Sequence, residues 1–335
     1  MTLEAMTEPR ATPPPRARTL RRRGPAAFQG WTHPDAIFRK ACMGFAAAIV
    51  ALFALLIYEV LRGSSLSLSR FGFDFIFERV WDPVVENFGA ATFAYGTVVT
   101  STIALVLAVP LGLGIAIFLV EMAPAGVGAV VGFLVELLAA IPSIVYGLWG
   151  LFVLAPIVRN VLAPALHGTL GFLPIFSGTS HGVGMLTGGL ILAIMVLPFI
   201  AAVSRDVLTA VPQTQREGSM ALGATKWETI WHVVLPYGRA GIAGAVILAL
   251  GRALGETMAV TMVIGNNPQI VASLFEPGYT MSSVIANEYA EASGPLYLSA
   301  LTEVGLLLFA VTFIVNALAR LLIWRMARVR RVGHR

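Results

Sequence analysis

The stretch "REGSMALGATKWETIWHVVLPYG", residues 216–238, is polar although it lies between two long apolar runs. Thr214–Glu217 and Thr225–Glu228 both have the Thr-x-x-Glu spacing of a capping box, which predicts a helix start at each. Gly223 lies between them, where a left-handed glycine ends a helix. Pro236 is expected to end the second helix. We therefore predict a helix, a glycine turn, a second helix and a stop.

The apolar side chains of this segment allow two interpretations. They could form a rigid docking surface for another protein, or they could lay a pair of helices on the membrane surface. The residues concerned are Ala221, Leu222, Trp227, Ile230, Trp231 and Val234. Physical reasoning from these residues leaves both interpretations open.

The runs on either side indicate a membrane protein. Of the 335 residues, 57% are hydrophobic and 12% are charged, whereas soluble domains carry about 25% charged residues. A helix needs roughly 20 apolar residues to cross a bilayer. The stretches that qualify are Cys42–Leu61, Thr97–Val120, Val127–Leu154, Leu186–Val203, Gly241–Gly265 and Tyr297–Trp324. The expected fold is all-α and integral to the membrane, with six transmembrane helices.

The distribution of basic residues predicts the orientation. Of the 23 Lys and Arg residues, 18 fall within residues 1–40, the loop 205–239 and the segment from residue 320 onward. Cytoplasmic loops carry such an excess, so both termini and this loop are expected in the cytoplasm. The basic excess is then a topology signal with some contact to membrane lipids, and nucleic acid is not an expected partner. Residues 1–36, rich in Pro and Arg, are expected to form a disordered basic tail, and 329–335 a second basic tail.

Several classes of chemistry lack support in this sequence. The one cysteine, Cys42, has no partner for a disulfide or a thiolate metal site. We therefore expect no metal and no cofactor. The phosphate-binding pattern G-x-x-x-x-G-K-[ST] does not occur, so the chain is not expected to be an enzyme that hydrolyses ATP.

Two charged residues fall within the predicted fifth span. Arg252 and Glu256 are four residues apart, so they are expected to share one helix face near the membrane centre. A charge there costs about 2.5–3.5 kcal/mol on insertion scales. The pair could be a structural ion pair that neutralises itself, or it could form a polar lining along a path through the membrane.

Three further polar residues are weaker candidates. Glu136 and Glu303 also lie within predicted spans. Either could line a path, pair with Arg252 across the bundle or cap frayed backbone. His181, in the Gly/Ser-rich segment "SGTSHGVG", is expected only to be solvated.

The polar segment resembles the EAA loop of ABC importer permeases. That pattern is EAA, three residues, Gly, nine residues and I-x-L-P, and this chain departs from it at Gly218, Ser219 and Val233. In the family, the two short helices insert into a groove of the ATPase subunit and transmit its closure. The resemblance implies an ATPase-coupling role for Glu217, Gly218, Ser219, Gly223, Ala224, Leu235 and Pro236.

Residues from about 37 to 328 are similar to one branch of this family, the phosphate permeases of the PstC kind. The similarity is carried by "FAYGTVVTS" (93–101), "IPSIVYGLWGLFVLAP" (141–156), "LGRALGETMAVTMVIGN" (250–266) and "WDP" (81–83). It implies the type I ABC importer permease fold, with a MetI-like core of five helices plus one N-terminal helix. The implied domains are a first helix and outer loop at 37–92 and a transmembrane domain at 93–328, with the coupling loop at 212–236.

The function implied by the resemblance is that of a permease subunit of an ATP-driven phosphate importer, multi-pass in the bacterial inner membrane. Arg252, Glu256 and Thr257 would line the path. The implied partners are a homologous permease forming a heterodimer, a dimeric ATP-binding subunit that hydrolyses ATP, and an extracytoplasmic phosphate-binding protein. The alternatives are a permease for sulfate or molybdate, a membrane-embedded enzyme, and a membrane scaffold or signalling protein.

Overall fold

The computed structural model describes residues 33–332. The chain divides into two compact units, one up to Leu56 and the other from Ile57 onward. Helix α1, His33–Gly63, begins inside the predicted tail 1–36, most of which lies outside the described residues. The last helix continues to Val332, so only 333–335 of the second predicted tail fall outside the description.

The described part of the second unit is almost entirely helical, with one small antiparallel hairpin that pairs Trp81 with Phe88. The elements after α1 are α2 (Ser65–Phe71), α3 (Asp74–Phe77), β1 (Trp81–Asp82), β2 (Asn87–Phe88), α4 (Ala91–Met122), α5 (Ala125–Ala140), α6 (Ser143–Leu170), α7 (Met185–Thr209), α8 (Gln213–Ala221), α9 (Lys226–Gly255), α10 (Met258–Val263), α11 (Met281–Glu288) and α12 (Pro295–Val332). A 3₁₀ turn occupies Pro174–Phe176. Helices α4, α6 and α9 each include π-helical turns.

Six helices in the described chain are long and apolar enough to cross a membrane, which confirms the predicted number. They are Ala36–Gly63, Ala91–Met122, Ser143–Leu170, Met185–Thr209, Lys226–Gly255 and Pro295–Leu321. The bounds of the third and the fifth differ from the prediction, and each difference has a local cause.

The predicted third span, Val127–Leu154, is divided in two. Ile141 and Pro142 are extended, with ψ of 130° and 140°. Proline lacks the N–H for a helical hydrogen bond and forces the preceding residue out of the helical region. Helix α5 therefore stops at Ala140 with 16 residues, short of the roughly 20 needed to span a bilayer, and α6 is the spanning helix.

The predicted fifth span, Gly241–Gly265, is displaced toward the N-terminus. Helix α9 begins at Lys226 and runs through Pro236, so the prediction that Pro236 ends a helix is wrong. The cause is a π-helical turn at Ile230–Val234, in which the Leu235 N–H bonds to the Ile230 carbonyl. This wider turn precedes Pro236, which occupies the first turn of the α-helical part, where its missing N–H is tolerated.

Small residues allow the spanning helices to approach closely. The core between α4, α7, α9 and α10 contains many alanines: its buried members are Ala104, Ala108, Leu192, Ala193, Val196, Ile200, Ala249, Ala253, Val260 and Ile264. A Cβ added at Gly112 would lie 3.0 Å from the Ile200 Cβ, and one at Gly189 would lie 2.7 Å from the Ile103 Cβ. Association of membrane helices depends on such close packing, because lipid tails are as apolar as the side chains.

Candidate functional site

The first candidate site is a break in the helical backbone after α9. Glu256 is extended, with φ −68° and ψ 129°, and Thr257 precedes α10 with φ −112° and ψ −66°. The Ser282 hydroxyl, from α11, donates to the Glu256 carbonyl at 2.7 Å, and the Thr257 hydroxyl donates to the Gly255 carbonyl at 3.3 Å. Because backbone carbonyls at the end of a helix lack intrahelical partners, these hydroxyls stabilise the break.

Arg252 lies in the last turn of α9, whereas Glu256 is the residue that follows the end of this helix at Gly255, so the two do not lie within one continuous helix. Arg252 is exposed and lies over the Phe199 ring, with 5.6 Å between the guanidinium carbon and the ring centroid. The carboxylate of the half-buried Glu256 accepts a hydrogen bond from the Ala259 N–H at 3.4 Å. Within residues 33–332 neither residue forms a salt bridge, so each charge is free to meet a third group.

A buried group of hydroxyls holds α11 against the break and against α4. Thr280 caps α11 by accepting from the Ser283 N–H at 3.2 Å, and its hydroxyl lies 2.7 Å from the Ser283 hydroxyl. The Met281 N–H donates to the Thr97 hydroxyl of α4 at 3.0 Å. Sequence reasoning missed these residues. The available signals were the Thr-Met-Ser-Ser run at 280–283 and the position of Thr97 inside the quoted stretch 93–101.

The second candidate site is the 212–236 hairpin, formed by α8, a turn and the start of α9. The predicted capping box at Thr225 is confirmed: its hydroxyl accepts from the Glu228 N–H at 3.3 Å, and the Glu228 carboxylate accepts from the Thr225 N–H at 2.8 Å. Gly223 has the predicted left-handed conformation, φ +91°. The box predicted at Thr214 does not form because α8 already begins at Gln213, directly after Pro212.

The residues expected to contact an ATPase differ in their exposure on the hairpin. Glu217, Gly218 and Gly223 are exposed. The remaining predicted coupling residues, Ser219, Ala224, Leu235 and Pro236, are half-buried. The Thr229 hydroxyl donates to the Ser219 hydroxyl at 3.1 Å and joins the two helices.

Apolar groups are prominent on the same surface. Leu222 is 92% exposed, and the exposed rings of Trp227 and Trp231 stack with centroids 5.9 Å apart. Such an apolar patch on a protein is typical of an interaction surface.

An ion pair not singled out from the sequence ties the hairpin to the spanning helices. The Arg216 Nε lies 2.9 Å from the Glu121 Oε1, and its Nη2 donates to the Leu208 carbonyl at 2.8 Å. Its Nη1 donates to the Val211 carbonyl. The two side chains are only 11% and 9% exposed. Sequence patterns could not pair these residues because they are 95 positions apart.

The weaker candidates lie elsewhere. Glu136 pairs with Arg205 at 3.2 Å, in an exposed position, so the pairing with Arg252 that the sequence left open is not formed. Glu303 is buried in α12, and its Oε2 has no partner within the described residues. His181 is exposed, in agreement with the expectation that it is solvated.

Comparison with known proteins identifies the family. Residues 108–328 match the family described as the inner membrane component of binding-protein-dependent transport systems. The chain belongs to this family. It is 49% identical to the phosphate transport system permease protein PstC of Mesorhizobium japonicum over 87% of this chain and 90% of that protein. It is 47% identical to the protein of the same name from Pasteurella multocida over 92% of this chain and 98% of the relative. Within the family it is therefore a PstC-type permease.

Solved structures agree on the fold. A bacterial ABC transporter involved in alginate import has a chain that aligns with 87% of this permease and 98% of its own length, with a TM-score of 0.56 and 16% identity. The alginate transporter in complex with its pentasaccharide-bound periplasmic protein gives a TM-score of 0.55 and 15% identity, over 85% of this chain and 94% of that one. The permease therefore has the type I ABC importer fold and is a multi-pass inner membrane protein.

Proposed function

We propose that this permease is the subunit of an ATP-driven inorganic phosphate importer that forms the translocation path. The observation that carries the proposal is 49% identity, over 87% of the chain, to a protein named as a phosphate transport system permease. Identity of this extent over most of the chain supports a shared substrate as well as a shared fold.

The break after α9 supports a role in the path for Arg252, Glu256 and Thr257. Non-helical backbone at membrane depth is tolerated only where it is buried in protein or lines a water-filled cavity, and broken helices frequently form transporter binding sites. Arg252 makes no salt bridge within the described residues, so its guanidinium can donate to phosphate oxygens.

The carboxylate of Glu256 favours phosphate over other tetrahedral anions. At neutral pH phosphate carries an O–H group, which a carboxylate can accept, whereas sulfate has no such donor. A carboxylate repels a bare oxyanion. Arg252 would then balance the charge of the ion while Glu256 accepts its proton-bearing oxygen.

The 212–236 hairpin would couple this path to ATP hydrolysis. Its second helix is the beginning of α9, which continues without interruption from Lys226 to Gly255. At 1.5 Å per residue, Lys226 and Arg252 are about 40 Å apart along one rigid element. A displacement of the hairpin by an ATPase subunit would therefore reach the break directly.

The partners and orientation follow from this assignment. The permease would pair with a homologous permease as a heterodimer, contact a dimeric ATP-binding subunit that hydrolyses ATP, and receive phosphate from an extracytoplasmic binding protein. An even number of spans places both termini on one side, and the basic residues of the 205–239 loop support a cytoplasmic location.

Transport by the assembled complex in proteoliposomes tests the proposal. Uptake of radiolabelled phosphate should require both ATP and the binding protein, and excess sulfate or molybdate should not compete. Preferential uptake of sulfate or molybdate would identify that oxyanion, rather than phosphate, as the substrate. Absence of any ATP-dependent uptake from a complex that contains the ATPase would remove the importer assignment.

A further inference from the structure

We propose that Arg216 and Glu121 position the 212–236 hairpin, by fixing α8 to the ends of α4 and α7 so that its motion reaches both membrane helices. We call this pair the Arg216–Glu121 anchor. The inference rests on the proposed coupling function of the hairpin. It adds a mechanical link to two helices other than α9, which already continues from the hairpin.

The anchor joins three helices through one side chain. Arg216 lies in α8, and its Nε and Nη2 are both 2.9 Å from the Glu121 Oε1 in the last turn of α4. Of the carbonyls that Nη2 and Nη1 reach, that of Leu208 lies in the last turn of α7 and that of Val211 lies two residues beyond its end. Carbonyls at a helix C-terminus lack intrahelical partners and favour a nearby positive charge. Arg216 thus caps α7 while it pairs with α4.

The rest of α8 makes little contact that could replace the anchor. None of its nine residues is fully buried. A Cβ added at Gly218 would have no atom within 4 Å. A cleft of about 450 Å³ separates α8 from α4, and both Arg216 and Glu121 line it. Because no residue of α8 is fully buried, we infer that the position of α8 depends chiefly on the anchor and on the Ser219–Thr229 hydrogen bond.

The chemistry of the anchor requires arginine. Its planar guanidinium directs several N–H groups in fixed directions, so one side chain can serve a carboxylate and two carbonyls together. Lysine would retain the positive charge beside Glu121 but presents a compact ammonium on a flexible stem. The Arg216→Lys variant therefore separates the geometric role of the anchor from charge compensation.

The test compares the number of phosphate ions transported per ATP hydrolysed, measured in proteoliposomes at equal amounts of assembled complex. Arg216→Lys and Glu121→Gln should assemble and hydrolyse ATP, but phosphate transported per ATP should fall about tenfold, within the range by which single residues modulate coupling. The matched control is Arg205→Gln, which removes an ion pair of the same chemistry whose side chains are 34% and 59% exposed. Exposed pairs contribute little, so this control should keep the wild-type ratio.

Each other result overturns the inference. A wild-type ratio in both anchor variants would show that the pair carries no coupling. The pair would be only a folding element if the variants gave less assembled complex but the complex that formed kept the wild-type ratio of phosphate to ATP. The same would hold if neither variant assembled. Gly223→Pro distinguishes the two proposals: if it also leaves the ratio unchanged, the coupling role of the hairpin itself fails. If Gly223→Pro uncouples and the anchor variants do not, only the anchor fails.

Discussion

Replacing Ser282 by Ala should weaken the break between α9 and α10. The Ser282 hydroxyl is buried and donates to the Glu256 carbonyl at 2.7 Å. A buried carbonyl left without its donor costs about 1–3 kcal/mol. At about 1.4 kcal/mol per factor of ten, the broken conformation would lose roughly 5- to 150-fold in population relative to a continuous helix. Phosphate uptake should fall, by at most this factor, if transport requires the break.

The assay is the initial rate of ATP-dependent phosphate uptake in proteoliposomes, normalised to the amount of permease. Ser204→Ala is the matched control, because Ser204 is also buried but its hydroxyl has no partner within the described residues. Ser282→Thr retains a hydroxyl and should retain most of the uptake. Equal rates for Ser282→Ala and Ser204→Ala would refute the reasoning that the break is stabilised by this hydrogen bond and needed for transport.

Three further predictions concern the two candidate sites and the topology. Gly223→Pro removes the N–H bonded to the Met220 carbonyl, and proline cannot adopt φ +91°; Glu217→Lys reverses an exposed charge. ATPase assays on each variant should therefore show ATP hydrolysis that no longer drives phosphate uptake. Arg252→Gln and Glu256→Gln should each abolish phosphate uptake while the complex still assembles. The Arg252→Gln variant loses only a cation–π contact of about 0.5–1 kcal/mol. Near-normal uptake by this variant would exclude Arg252 from the path. In a background without Cys42, impermeant thiol reagents should label Val84→Cys and Phe172→Cys from outside but not Leu222→Cys, all three positions being highly exposed; outside labelling at residue 222 would overturn the proposed topology.

The number of spans could be predicted from the sequence because length and hydropathy are properties of each segment alone. Their bounds required more. The division of the third span at Ile141–Pro142 is predictable from the sequence, since proline constrains its own backbone angles and those of the preceding residue. The continuation of α9 through Pro236 is harder to predict from the sequence, because a π-helical turn precedes the proline. The same residue type thus ended one helix and began the α-helical part of another.

The two predicted capping boxes had the same residue spacing, yet only one formed. Thr225 is preceded by Gly223 in a left-handed turn, so the chain enters α9 with an extended residue available as the cap. Thr214 follows Pro212 by two positions, and the helix had already begun at Gln213. A capping pattern therefore predicts a helix start only where the preceding residues leave the backbone outside the helix.

The break after α9 was beyond sequence reasoning because its partner is remote. Ser282 lies 26 residues beyond Glu256, on a helix that a hydrogen bond from the Met281 N–H to the Thr97 hydroxyl holds against α4. The consequence for coupling is large. A helix continuous from residue 241 to 265 would hold both charges on one rigid face and separate them from the hairpin by the stop at Pro236. The observed α9 instead joins the hairpin to Arg252 and ends before Glu256. Under the proposed coupling, a displacement of the hairpin would therefore move Arg252 with α9 and act on the break directly.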